Sequence, residues 1–165
     1  MRRRRILKIV SGGQTGADRG ALEAARALSI PHGGWCPKGR RAEDGRIPAR
    51  YLLKEAPTAD PAVRTALNVS TSDGTILFTR GRPTGGSALT AELARRLGRP
   101  FLYVDLSQTA GAEAVRRVRT WVARARIRVL NVAGSRESKA PGIAQEVRDI
   151  LTAALSPGTG RRSPK

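Results

Sequence analysis

Four short apolar runs punctuate the chain, Ile6 to Val10, Thr75 to Thr79, Phe101 to Val104 and Arg128 to Val132. Between and after them the apolar residues return at helical spacing, over Asp18 to Leu28, Gly86 to Leu97, Ala110 to Arg124 and Ile143 to Leu155. Compact apolar runs alternating with amphipathic helices predict parallel strands joined by crossover helices, which cover both faces of the sheet. The fold class read from this pattern is α/β: a Rossmann-like, doubly wound, mainly parallel sheet. Gly98 after Leu97 predicts a helix stop, and Asp18 places a carboxylate at the positive end of the first helix.

The pattern weakens between the first two strong strands. Ser29 to Trp35 reads as a short strand entering a loop, Cys36 to Pro57 as a polar and basic surface excursion forming a lid or wall, and Pro61 to Ser70 as one more helix. With 165 residues the chain suits one domain. That domain is expected over residues 1–155, with residues 1–5 a basic extension and residues 156–165 a disordered basic tail.

Composition narrows the class. With two Phe, two Tyr and two Trp, the core must be mostly aliphatic. A lone cysteine, Cys36, excludes an intramolecular disulfide framework and a zinc site built from several thiolates. No apolar stretch nears the roughly 20 residues that span a bilayer, so the expected location is cytoplasmic. A net charge of +18 raises the question of nucleic acid. Part of it sits at the two ends, in Arg2 to Arg5, Arg161, Arg162 and Lys165, and much of the rest follows helical faces. With neither a recognised nucleic-acid module nor interleaved aromatics, nucleic-acid binding is not expected.

The candidate chemistry lies in loops that leave the carboxyl ends of strands and so share one edge of a parallel sheet, where ligands bind. They are Ser11 to Asp18, Arg80 to Ser87, Asp105 to Ala110 and Ala133 to Gly142. The first, with Gly12, Gly13, Gln14, Thr15 and Gly16, joins a strand to a helix, so its amides and the Thr15 hydroxyl suit an anion. Gln14 carries a paired donor and acceptor for a planar ring. The loop is neither the G-x-G-x-x-G dinucleotide fingerprint nor a Walker loop. The second adds Arg80 and Arg82 beside Pro83, Thr84, Gly85, Gly86 and Ser87 at a helix start, and arginine pairs bidentately with phosphate. In the third, Asn131 offers an amide to a heterocycle edge, followed by Ser135, Arg136, Glu137 and Lys139. Cys36 has only His32 nearby in sequence, which is thin support for a nucleophile or a metal site, and a small buried side chain is the plainer reading. Glu43 and Asp44 could act as acid or base, although loop carboxylates are ordinarily solvated.

Several motifs, in order, resemble the molybdenum carrier family, related to the Rossmann-like LOG and SLOG proteins. They are Gly12 to Asp18, Gly34 to Gly45, Ser72 to Thr75, Thr84 to Ser87 and Leu130 to Gly142. The resemblance runs from about Ile6 to Leu155. It implies a binding protein without turnover for molybdenum cofactor (molybdopterin), molybdate or a related nucleotide-like ligand, and a homo-oligomer, dimer or tetramer. By motif position, phosphate or molybdate oxygens would face Gly12, Gly13, Thr15, Gly85, Gly86 and Ser87, with Arg80 and Lys139 supplying charge. Two alternatives stand beside it, a LOG-type phosphoribohydrolase and a SLOG-type nucleotide sensor. The LOG motif's glutamate aligns here with Thr90, and Glu92 falls on another face of its helix, which weakens the enzyme reading.

Overall fold

A computed structural model describes residues 5–157 of the chain. The expected extension and tail therefore fall mainly outside the described residues. In chain order the elements are β1 (Lys8–Val10), α1 (Ala17–Ala27), β2 (His32–Gly33), β3 (Trp35–Cys36), β4 (Arg41–Ala42), β5 (Gly45–Arg46) and β6 (Lys54–Glu55). Then come α2 (Pro61–Ser70), β7 (Gly74–Thr79), α3 (Gly85–Arg96), β8 (Phe101–Asp105), α4 (Gly111–Arg124), β9 (Val129–Gly134) and α5 (Ile143–Leu155).

The four apolar runs become the strands β1, β7, β8 and β9, joined at one edge by the short β2 in a five-stranded parallel sheet of order β2-β1-β9-β7-β8. Every residue of β7 is buried, as expected of a strand covered on both faces, whereas β8 at the other edge is only partly so. Register follows from this burial: Ile9 lies opposite Leu130, and Thr75 opposite Asn131, along the middle of the sheet. Helix α1 packs on α5, and α5 on α4; α2 packs on α3. The contact of α1 with α5 is close enough that a Cβ on Gly20 would overlap the Ala144 carbonyl oxygen. The main core is aliphatic, with Ile9, Ile76, Leu130, Ile143 and Leu151 fully enclosed around Phe78.

The strand order carries a topological statement. Numbered as if the chain began at β9, the sheet reads 3-2-1-4-5, the order of a doubly wound nucleotide-binding sheet. The strand that would come first is therefore last in this chain. The order reverses between β9 and β7, so the loops after these two strands flank the switch point.

One expectation needs correction. The segment from Cys36 to Pro57 is not merely a surface excursion, since it closes a second small core of Leu22, Cys36, Ile47 and Tyr51, with Leu53 and Ala42 packed against it. Two two-stranded ladders, β3 with β6 and β4 with β5, frame that core. The apolar residues are too widely spaced in a basic stretch to reveal it by periodicity. Tyr51 seals it by donating its hydroxyl to Glu23 at 2.5 Å.

Candidate ligand-binding site

Three of the four loops at the carboxyl edge converge on one cavity of about 390 Å³. It is lined by Gly12, Gln14 and Asp18 from the loop and helix start after β1, by Thr84 to Ser87 after β7, and by Asn131 to Arg136 with Lys139 from β9 onward. The Asp105 to Ala110 loop takes no part in the lining. The remaining wall is α2, through Asp60, Ala62, Arg64, Thr65 and Asn68. The expected lid from Cys36 to Pro57 does not line this cavity.

The N-terminus of α3 opens into it. Thr84 stands at the cap position without a side-chain capping bond, and the first turn holds no acidic residue. The space where Cβ atoms of Gly85 and Gly86 would lie is open, so an anion can approach their backbone. The Ser87 N–H is taken by the Thr84 carbonyl at 3.0 Å, whereas the N–H groups of Gly85 and Gly86 have no intrahelical acceptor, and the helix dipole adds positive potential there. Each of the other helices has a carboxylate at or near its start. Asp60 Oδ1 accepts the Ala62 N–H at 2.9 Å on α2, and Glu113 lies in the first turn of α4. Glu137 Oε1 accepts the Gly142 N–H at 2.7 Å at the start of α5.

The glycine-rich turn after β1 is already furnished from within. Asp18 accepts the Gln14 N–H at 3.1 Å and the Arg64 Nη1 at 3.3 Å. The pair is largely enclosed, with side-chain exposures of 6% for Asp18 and 16% for Arg64. Burial pushes the Asp18 carboxyl above its ordinary range, and the Arg64 charge and the Gln14 N–H act against that rise. The Arg64 guanidinium lies where a Cβ on residue 12 would be, so Gly12 admits the arginine through its lack of a side chain. Among the described residues, Arg64 Nε is the one buried side-chain nitrogen or oxygen without a hydrogen-bond partner. Such an orphan costs roughly 1–3 kcal/mol.

The structure thus gathers Gly12, Gln14, Asp18, Thr84, Gly85, Gly86, Ser87, Asn131, Ser135 and Lys139 around one space, and leaves three other candidates outside it. Gly13 turns its Cα toward Leu53 and Ile47 of the second core. The Thr15 hydroxyl donates to Glu43 and accepts the Glu137 N–H, so it ties loops together. Arg80 donates to the Pro141 carbonyl and, at 2.7 Å, to Glu146, so it braces α5. Gln14, although at the cavity, uses its Oε1 to accept the Thr15 and Glu43 N–H groups. Asn131 donates Nδ2 to the Thr75 hydroxyl at 3.1 Å.

Arg64 was not legible as a site residue. In sequence it is one polar position on an amphipathic helix, and only the packing of α2 beside the β1 loop reveals it. Cys36 is buried, and burial pushes its thiol upward, away from nucleophilic use. His32 instead accepts the Leu52 N–H through Nε2 at 3.1 Å. Glu43 bonds to Ser138 and Thr15, and Asp44 to Arg19, both outside the cavity.

Comparison with known proteins follows the same outline. The fold superposes, with a TM-score of 0.89, on the crystal structure of a "Putative molybdenum carrier protein" from Syntrophus aciditrophicus SB. The two share 47% sequence identity over 92% of this chain and 96% of that one. No curated protein matches the chain. Residues 9–155 match the family model described as the circularly permutated YpsA SLOG family, in keeping with a sheet whose topologically first strand is β9. By that match, the chain belongs to the circularly permutated YpsA SLOG family.

Proposed function

We propose that the protein is a carrier, which holds a small oxyanion-bearing ligand in the cavity at the carboxyl edge of the sheet and releases it unchanged. The observation that carries this reading is the uncapped N-terminus of α3 opening into that cavity, with Lys139 on its rim. Backbone amides and ammonium or guanidinium groups suit phosphate or molybdate oxygens, and not a bare cation. The name of the similar Syntrophus protein points to molybdenum as cargo. The ligand proposed here is molybdenum cofactor, held by its phosphate, or molybdate itself.

Release without turnover is supported by the carboxylates at hand. The two that line the cavity, Asp18 and Asp60, are both committed, one to Arg64 and Gln14, the other to the cap of α2. Thr90, at the position of the LOG-type glutamate, is buried and donates to the Gly86 carbonyl at 2.8 Å. Glu92 lies off the cavity and pairs with Arg96 at 2.8 Å.

Thermal unfolding with molybdenum cofactor, molybdate, AMP and NAD tests the proposal. A ligand present at about 100 times its Kd adds about 2.7 kcal/mol to the stability, a rise of several degrees for a domain of this size. Stabilisation by the molybdenum compounds is the expected result. A response to AMP or NAD alone would sink the molybdenum assignment, and adenine released from AMP would sink the carrier reading.

A further inference from the structure

The cargo of the proposed carrier is an anion, and the charged group best placed for it lies on α2. Arg80 spends its guanidinium on Pro141 and Glu146. Lys139 is exposed on a loop. Arg64 lines the cavity and is braced there from two sides. Its Nη1 is held by Asp18, which is itself fixed by the Gln14 N–H, and the guanidinium rests against the bare Cα of Gly12. The braced end is Nη1; the Nε–H is enclosed and unpartnered, so the guanidinium must swing about its Asp18 bond to present that edge to the cavity. In a planar guanidinium, Nε–H and Nη2–H form a two-donor edge whose spacing matches two oxygens of a tetrahedral oxyanion. Of the other charged groups of this region, Asp60 caps α2, Arg19 bonds to Asp44 and to the Gly13 carbonyl, and Arg136, like Lys139, is exposed on the loop after β9 at the cavity rim.

We infer that Arg64 is the specificity-determining cation of the cavity, binding a tetrahedral oxyanion through its Nε and Nη2 edge while Asp18 holds it in place through Nη1. The oxyanion is that of a phosphate monoester or of free molybdate, and the first-turn amides of α3 line the same space. Lysine at this position would keep the charge and lose the two-donor edge. The inference rests on the carrier reading, since it names the group that recognises the cargo.

Isothermal titration of the full chain with AMP, inorganic phosphate and sodium molybdate tests it, alongside the Arg64→Lys and Arg64→Met variants. Losing two charge-assisted bonds is expected to weaken binding about 10- to 100-fold in both variants. The AMP and molybdate arms tell a phosphate ester from the free metal oxyanion. A second measurement needs no variant that must fold: the Arg64 Nε–H proton in the NMR spectrum of the unaltered protein is expected to shift and slow its exchange when the anion binds. Wild-type affinity in either variant, or an unmoved Nε–H signal in a saturated protein, overturns the role of Arg64 and leaves the carrier reading standing. If the unaltered protein binds none of the three anions, Arg64 has no oxyanion to recognise and the inference fails, whereas the carrier reading is decided separately by the molybdenum-cofactor arm of the thermal test.

Discussion

Glu43 shows how a residue that looks catalytic in a motif can be structural. Its carboxylate accepts the Ser138 hydroxyl at 2.6 Å, the Ser138 N–H at 3.1 Å and the Thr15 hydroxyl, so the tip of the β4–β5 hairpin clasps the loops after β1 and β9. The Ser138 hydroxyl, followed by that of Thr15, holds the carboxyl below its ordinary value of 4.5. A depressed carboxyl contributes stability above its unfolded pKa and loses it as pH falls through the folded one. The contribution of Glu43 is therefore expected to be full near neutrality and to be lost below about pH 4.5, with Glu23, Asp44 and Asp105 adding to the same slope and the raised Asp18 opposing it. Glu43→Gln should lower stability at neutral pH and flatten part of that decline. Chemical denaturation from pH 3 to 7 checks this, and parallel profiles for the two proteins would show that the clasp contributes nothing.

At the scale of elements, the contrast between helix starts decides where an anion can go. Helices α1, α2, α4 and α5 carry Asp18, Asp60, Glu113 and Glu137 at or just before their first turns, whereas α3 offers Gly85, Gly86 and Ser87 with no carboxylate. Ser87→Asp would supply the missing charge. It is expected to stabilise the protein by about 0.3–1 kcal/mol through the helix dipole and at the same time to abolish oxyanion binding. Opposite signs in a melting curve and a titration are the test; unimpaired binding would remove the start of α3 from the site. Arg80→Ala should do the reverse. By freeing the start of α5 from its bonds to Glu146 and Pro141, it is expected to cost about 0.5–1.5 kcal/mol and to leave anion affinity unchanged. A marked loss of affinity would return Arg80 to the site.

For the whole molecule, the order β2-β1-β9-β7-β8 implies that the position of the chain ends is incidental to the sheet. Strand pairing, core and cavity depend on which elements are neighbours, and cutting between α4 and β9 separates none of them. A variant that begins at Arg126, with residue 165 joined to residue 1, restores the 3-2-1-4-5 order in sequence. It is expected to melt cooperatively, to give a dispersed NMR spectrum and to bind the same anion. A molten spectrum would show that the β9-last order is needed for folding and is not a neutral rearrangement. Among the described residues no helix is long and apolar enough to cross a membrane, and no cluster of His, Cys, Asp and Glu is arranged to hold a metal ion. The oxyanion reading requires neither.

Local pattern alone determined much of this protein. The strands β1, β7, β8 and β9 and all five helices are written in hydrophobic spacing, because a buried parallel strand must be apolar throughout and a crossover helix must be apolar on one side. The chain also announced which loops share an edge, since parallel strands put all their carboxyl ends together. Tertiary structure decided what spacing cannot express. It drew Cys36, Ile47 and Tyr51 into a second core across basic sequence, turned Arg80 toward Glu146 and Thr15 toward Glu43, and laid Arg64 of α2 against Gly12. Polar side chains choose their partners by distance in space, and a guanidinium on a helix 46 residues past Asp18 declares its partner only once the sheet and α2 have brought the two together.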